Sequence, residues 1–286
     1  MYTLKEFKNI FDPLLEEFID RKLKDFLNKT SNSFIKDYIS YSETLIVNKG
    51  KRIRPYTAYL MYETAGGKYG DKAIRLFIAL EIFHAFCLIH DDVMDKGETR
   101  RGIKTIHNYI ADNLKKENRI GDIKHIGNSQ AILVGDLLFS WAIESFKNNK
   151  DIPSESMEKA VEIFYKMIDE VILGQMLDVD LKTRLDSNEN LINEKIIMKT
   201  ARYSFISPLL IGAALAGQDK KYQEFAEELG ETLGIAFQTQ DDLLDILGDE
   251  NVTLKKALGD IAEGQHTFFT NYIFENGSET ELQYFK

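Results

Sequence analysis

Two runs of the pattern Asp-Asp-x-x-Asp carry the strongest chemical signal in this chain: Asp91, Asp92 and Asp95, and 150 positions later Asp241, Asp242 and Asp245. With 22 Asp among 286 residues, composition alone predicts roughly 0.13 copies of such a run, so two are not an accident of acidity. On a helix, positions i and i+4 share one face about 6 Å apart along the axis. Asp91 with Asp95, and Asp241 with Asp245, therefore each present two carboxylates in one direction. A solvated acidic face is the plain alternative. The flanks argue against it, because Leu88-Ile89, Val93-Met94, Ile235-Ala236-Phe237 and Leu243-Leu244 set both stripes on apolar helices. Carboxylates turned into apolar surroundings need cations, and hard oxygen donors of this kind suit magnesium, which keeps waters and bridges carboxylates to phosphates.

Other metals fit less well. No loop has EF-hand spacing, a single cysteine and scattered histidines give no zinc set, and a di-iron bundle needs a second copy of the Glu81-x-x-His84 pattern. Cations accompany the acids: Gly50-Lys51-Arg52-Ile53-Arg54 precedes Pro55, and Arg100-Arg101-Gly102 follows the first acid run. A free helix N-terminus next to the first of these also favours an anion. Either basic run alone reads as a surface turn. Together with the acids they describe a diphosphate site.

These residues have to be positioned by helices. Apolar residues recur at spacings of three and four, and the prolines at 13, 55, 153 and 208 are read near helix starts. Helices are expected over 5–28, 33–48, 55–65, 71–95, 128–148, 154–180, 190–200, 203–216 and 220–247, with loops at 66–67, 97–102, 115–128 and 248–264. No repeat, low-complexity tract or linker divides the chain. The expectation is an all-α, single-domain helical bundle over residues 1–286. Ser278 with Glu281 has capping-box spacing, so a helix should start near Glu279. It has room for about two turns before Lys286, and the chain is expected to be cut inside a domain.

Composition narrows the partners. A formal charge of −10 opposes nucleic-acid binding. The balance of 44% hydrophobic and 29% charged residues is that of a folded globular protein. The lone cysteine, Cys87, excludes an internal disulfide and suits a reducing cytoplasm. Acids throughout Met1 to Asp20 speak against a signal peptide, and no run of 18 apolar residues suggests a membrane span.

The motifs together resemble the trans-isoprenyl diphosphate synthases, the polyprenyl synthetase family. The matching stretches are GKRIRP at 50–55, ExxHxxxLIHDDVMD at 81–95, ETRRG at 98–102, AILVGDLLF at 131–139, GQMLD at 174–178, KTA at 199–201 and FQTQDDLLD at 237–245. They cover most of the chain in the family's order.

The resemblance implies an isoprenoid synthase fold, in which helices surround a deep central cavity with the acid motifs across its mouth. It implies head-to-tail condensation of isopentenyl diphosphate with allylic diphosphates in a cytoplasmic homodimer. Asp91, Asp92, Asp95, Asp241 and Asp245 would be metal ligands, for three Mg2+ ions bound with substrate. Lys51, Arg54, His84 and Arg101 would hold isopentenyl diphosphate, while Arg100, Lys199 and Lys255 would hold the allylic diphosphate. Thr200 and Gln238 would line the place where positive charge develops, with Lys199 beside them. Glu81, Gln175 and Asp178 would support these groups by hydrogen bonds. A terpene cyclase has no need of GKRIRP or RRG, and a catalytically inactive regulatory partner would be expected to lose an acid motif.

Two positions bear on specificity. Gln265 stands in GDIAEGQHT where the family pattern has Lys, so Gln265→Lys is expected to strengthen allylic diphosphate binding. Phe86 and Cys87, five and four positions before Asp91, combine one aromatic with a small neighbour. That resembles a geranylgeranyl diphosphate synthase, with farnesyl diphosphate as a lesser or intermediate product.

Overall fold

A computed structural model describes residues 1–47, 50–147, 150–184, 188–248 and 258–283. Lys255 lies outside the described residues. The architecture is all-α. Among the described residues the strands are one pair, β1 (Thr99–Arg100) and β2 (Ile103–Lys104). The chain forms two compact units, Met1–Tyr59 with Gly67–Pro153, and Leu60–Gly66 with Ser154–Lys286.

In the first unit α1 (Leu4–Leu27) is amphipathic: Phe7, Phe11, Leu15, Ile19 and Leu23 recur every four residues and are all buried. A capping box between Thr3 and Glu6 starts it. Pro13 lies inside this helix rather than near its start. Helix α2 (Ser33–Val47) and the start of α3 (Ile53–Thr64) follow. A short α4 (Asp71–Ile74) leads through a tight turn into α5 (Ile78–Met94), whose first six residues are all buried. Helix α5 packs on α7 (Ile123–Glu144), and α7 also packs on α6 (Ile106–Lys116).

Periodicity alone missed α6, because only Ile106, His107, Ile110 and Ala111 are buried in an otherwise polar helix. It also set the start of α7 five residues late. Asp122 caps α7 by accepting from the His125 N–H, and Gly127, read as loop, is the contact point of the two helices. A Cβ there would lie 2.7 Å from the His107 carbonyl oxygen.

The second unit contains α8 (Ser154–Leu181), α9 (Glu189–Ile196), a π-helical stretch at Ile197–Ile206, α10 (Ser207–Leu215) and α11 (Asp219–Leu247). Eight of the nine residues of α10 are buried. The break expected between 200 and 203 is absent. The wider i→i+5 turn disrupts the 3.6-residue pattern without interrupting the helix. Short helices at Gly259–Ala262, Phe268–Asn276 and Glu279–Leu282 follow, the last capped by Ser278 and Glu281 as expected.

Two stretches are long and apolar enough to cross a membrane by length and composition, Asp71–Met94 and Ile123–Glu144. Within the fold, 67% of the first apolar window and 39% of the second is buried against protein.

Candidate active site

The first acid stripe ends α5. Asp91 and Asp95 are partly accessible, whereas Asp92 is buried at 3% exposure. Arg100 reaches back to this turn, donating from Nε to Asp92 Oδ1 at 2.6 Å and from Nη2 to Asp91 Oδ2 at 3.2 Å. Burial raises the Asp92 carboxyl to about 6, with Arg100 opposing that rise. The two strands deliver Arg100. Arg101 and Gly102 both have positive φ, 55° and 80°, as a two-residue hairpin turn of type I′ demands. The loop read at 97–102 is therefore a hairpin arm that folds over the acid stripe.

The same hairpin, with the start of α3, builds a cationic pocket in the first unit. His84 on α5 is held well below the usual imidazole range, first by burial and then by Arg54, Arg101, Arg100 and Arg52. The ring is partly accessible, and a cluster of guanidinium groups around it is a seat for an anion, whose charge would oppose that downward shift. Arg52, read in the sequence as one cation of the anion-binding run, has a structural part instead. At 2% exposure it donates to Asp12 (2.8 Å), Glu81 (2.6 Å), and the carbonyls of Ile46 and Val47. This saturated guanidinium explains Glu81, also buried, and fixes the backbone that carries Lys51 and Arg54. Lys51 is exposed and Arg54 partly so.

The second acid stripe repeats the division of labour of the first. Asp241 is exposed and Asp245 partly exposed, but Asp242 is buried at 4% and accepts from Gln238 Nε2 at 2.8 Å. Gln238 in turn accepts from Thr200 Oγ1 at 2.7 Å. Asp245 receives the backbone N–H groups of Gly259 and Asp260 at 3.2 and 3.1 Å. Thr200 and Lys199 stand on the π-helical stretch, which is gripped by glycines on both sides. A Cβ at Gly174 of α8 would lie 2.6 Å from the Lys199 backbone nitrogen, and one at Gly230 of α11 would lie 2.9 Å from the Ile206 Cα.

Lys199 donates to Asp178 Oδ2 at 2.8 Å. Burial alone would raise Asp178, but Lys199, Lys195 and Lys182 outweigh it and hold the carboxyl at about 2. Lys195, 8% exposed, was missed by sequence reasoning. Its signal was available: a lysine beside Ile192 and Ile196 on the apolar face of α9.

Among the described residues, no three His, Cys, Asp or Glu side chains converge on one metal-sized position. The donor set nonetheless fits magnesium, because the outer carboxylates are accessible oxygen donors and this ion needs only one or two of them beside water and phosphate. Asp91, Asp95 and Asp241 suit that role. Asp92 is committed to Arg100 and Asp245 to a helix start, so either would have to exchange partners to bind an ion.

An aromatic cluster lies on α5 before the first stripe. Phe86 is partly buried and packs on Phe83 (5.3 Å between ring centroids), Phe139 of α7 (5.1 Å) and His90 (4.6 Å). Phe83 is fully buried and belongs to the core. Phe139 was not anticipated.

Comparison with known proteins gives one answer. The Polyprenyl synthetase family profile matches residues 36–286. The chain is 34% identical over 267 residues to a short chain isoprenyl diphosphate synthase of Methanothermobacter thermautotrophicus, covering 93% of this chain and 75% of that protein. It is 32% identical over 273 residues to a geranylgeranyl diphosphate synthase of Sulfolobus acidocaldarius, covering 92% and 77%. Among solved structures, it is similar to a geranylgeranyl pyrophosphate synthase of Corynebacterium glutamicum complexed with isoprenyl diphosphate and magnesium. The TM-score is 0.87 at 28% identity, over 99% of this chain and 85% of that one.

Proposed function

The chain belongs to the polyprenyl synthetase family and is a prenyltransferase, and from that membership we propose that it condenses isopentenyl diphosphate head to tail with trans allylic diphosphates, with geranylgeranyl diphosphate as main product and farnesyl diphosphate as lesser product or intermediate. The observation that carries this reading is the twofold use of one motif. In each Asp-Asp-x-x-Asp run the second carboxylate is buried and tied down, which leaves Asp91, Asp95 and Asp241 on a fixed turn while Asp245 takes the N–H groups of a helix start.

Asp91, Asp95 and Asp241 would hold magnesium, three ions with bound substrate, with Asp92 and Asp245 in or next to that set of ligands. When bound, magnesium neutralises the charge that develops on the departing diphosphate. By the family's motif positions, Lys199, Arg100 and Lys255 would add positive charge to the same group, which is worth most where water is excluded. Lys51, Arg54, Arg101 and His84 orient isopentenyl diphosphate so that its double bond meets the allylic carbon. The Thr200 hydroxyl and the Gln238 amide stabilise the allylic cation, and their mutual hydrogen bond preorganises both oxygens. The allylic C–O bond breaks first, the isopentenyl double bond then attacks the resulting cation to form the new C–C bond, and the departed diphosphate takes the proton that is lost. Both units act as one prenyl synthase domain, in a cytoplasmic homodimer.

Incubation with isopentenyl and geranyl diphosphates plus magnesium, then phosphatase treatment and chromatography, tests the proposal. A twenty-carbon alcohol as main product is expected. A product that stops at fifteen carbons would contradict the chain-length assignment, and cyclic hydrocarbons would indicate a terpene cyclase instead.

A further inference from the structure

Asp178 is surrounded by more positive charge than it can neutralise. Its Oδ2 accepts from Lys199 at 2.8 Å and its Oδ1 lies 3.1 Å from Lys195 Nζ. In the amide orientation that satisfies both of its neighbours, Gln265 donates to Oδ1 at 2.9 Å and accepts from Lys182 Nζ at 2.9 Å. Lys195 also donates to the His266 carbonyl at 2.6 Å. Ile192, Lys195 and Ile196 form the buried face of α9, where an apolar side chain would complete the helix pattern without the desolvation that an ammonium incurs. The ammonium offsets that cost by meeting the Asp178 carboxylate and the His266 carbonyl.

The charges explain what it does. Lys199 and Lys195 each take one carboxylate oxygen, and with Lys182 on the Gln265 carbonyl the cluster carries three ammonium groups to one carboxylate, two net positive charges. Without Lys195, Asp178 would have Lys199 as its one direct ammonium partner and draw it more fully from an anion; with Lys195 on the other oxygen, Lys199 can face a diphosphate while remaining oriented. We propose that Lys195 is a positioning residue for Lys199 and for the Gly264–Thr267 segment, supplying from inside α9 the cation that Gln265 does not supply. This rests on Lys199 contacting the allylic diphosphate, and it revises the expectation for Gln265→Lys. A lysine at 265 gains nothing while Lys195 is present, because it would add another ammonium to an occupied carboxylate.

The test uses the full chain and steady-state pyrophosphate release, with KM for geranyl diphosphate set against KM for isopentenyl diphosphate as internal control. Lys195→Met should raise the allylic KM about tenfold while the isopentenyl KM moves less than about twofold. Gln265→Lys alone should not lower the allylic KM. The double variant Lys195→Met/Gln265→Lys should recover to within about threefold of wild type. Lys195→Gln, which keeps a donor for the His266 carbonyl but no charge, should not recover. A wild-type allylic KM in Lys195→Met overturns the inference, as does rescue by Lys195→Gln equal to that by the double variant, since a neutral hydrogen bond would then suffice. If Lys195→Met does not fold, Lys195→Gln and Lys195→Gln/Gln265→Lys decide between charge and hydrogen bond. A wild-type chain that releases no pyrophosphate overturns the prenyl-transfer reading and this inference with it, whereas an active wild type with indifferent variants overturns the inference alone.

Discussion

A carboxylate that is to bind a metal ion cannot also anchor its own helix, and the two acid runs separate those tasks in the same way. Asp92 and Asp242 are buried on Arg100 and Gln238, leaving Asp91, Asp95 and Asp241 accessible. Motif spacing located both runs but not this division, because Arg100 arrives from a hairpin and Gln238 is aimed by Thr200 across helices. Asp178 shows the same limit: its type and motif suggested a supporting role, but its three lysines converge only in the fold. Its folded pKa of about 2 lies below the unfolded value of about 4. The stabilisation is therefore full above about pH 4 and is lost as pH falls towards 2, amounting to roughly 2 to 3 kcal/mol. Asp178→Asn should flatten that acid limb of the stability curve, measured by denaturant titration from pH 6 to 2; an unchanged limb would place the linkage elsewhere. If the Phe86 ring is the floor that stops the growing chain, as a packed aromatic beneath the first acid run would, Phe86→Ala should release products beyond twenty carbons and Cys87→Phe should shorten them towards fifteen. Unchanged profiles in both would move the floor away from α5.

At the scale of elements, conformation and binding are coupled where the backbone is least free. Arg101 occupies the left-handed region at φ 55°, which for a non-glycine residue costs about 1 to 2 kcal/mol. Arg101→Gly should hold stability within about 1 kcal/mol, since the strain relieved offsets the added chain entropy, while the KM for isopentenyl diphosphate rises at least about tenfold. A variant that binds as well as wild type would remove Arg101 from the site. Gly174→Ala should lower stability by roughly 1 to 3 kcal/mol through overpacking and raise the allylic KM, because the new Cβ would meet the Lys199 backbone at 2.6 Å. A melting temperature equal to wild type would mean that α8 and the π-helical stretch can separate at no cost. Long amphipathic helices such as α1 and α8 were legible because their burial follows one period. The hairpin, α6 and the π-helical stretch were not: a two-residue ladder, a largely polar helix and an i→i+5 turn each lack that period.

At the scale of the molecule, an acidic protein handles two diphosphates by local arrangement. The net charge of −10 sets the long-range field, and clustered Arg and Lys with metal ions reverse it only near the substrates. All-α architecture and family were readable from periodicity and motif order, whereas the division into two compact units was not, since no composition shift marks it. If both acid stripes serve magnesium in prenyl transfer, pyrophosphate release shows it: isopentenyl and geranyl diphosphates are given to wild type, Asp91→Ala and Asp241→Ala, with magnesium and after EDTA, alongside circular dichroism. Turnover is expected only for wild type with magnesium, with at least about a thousandfold loss in each variant and unchanged helix content. Turnover in EDTA, or wild-type rates in either variant, would contradict that role of the acid stripes.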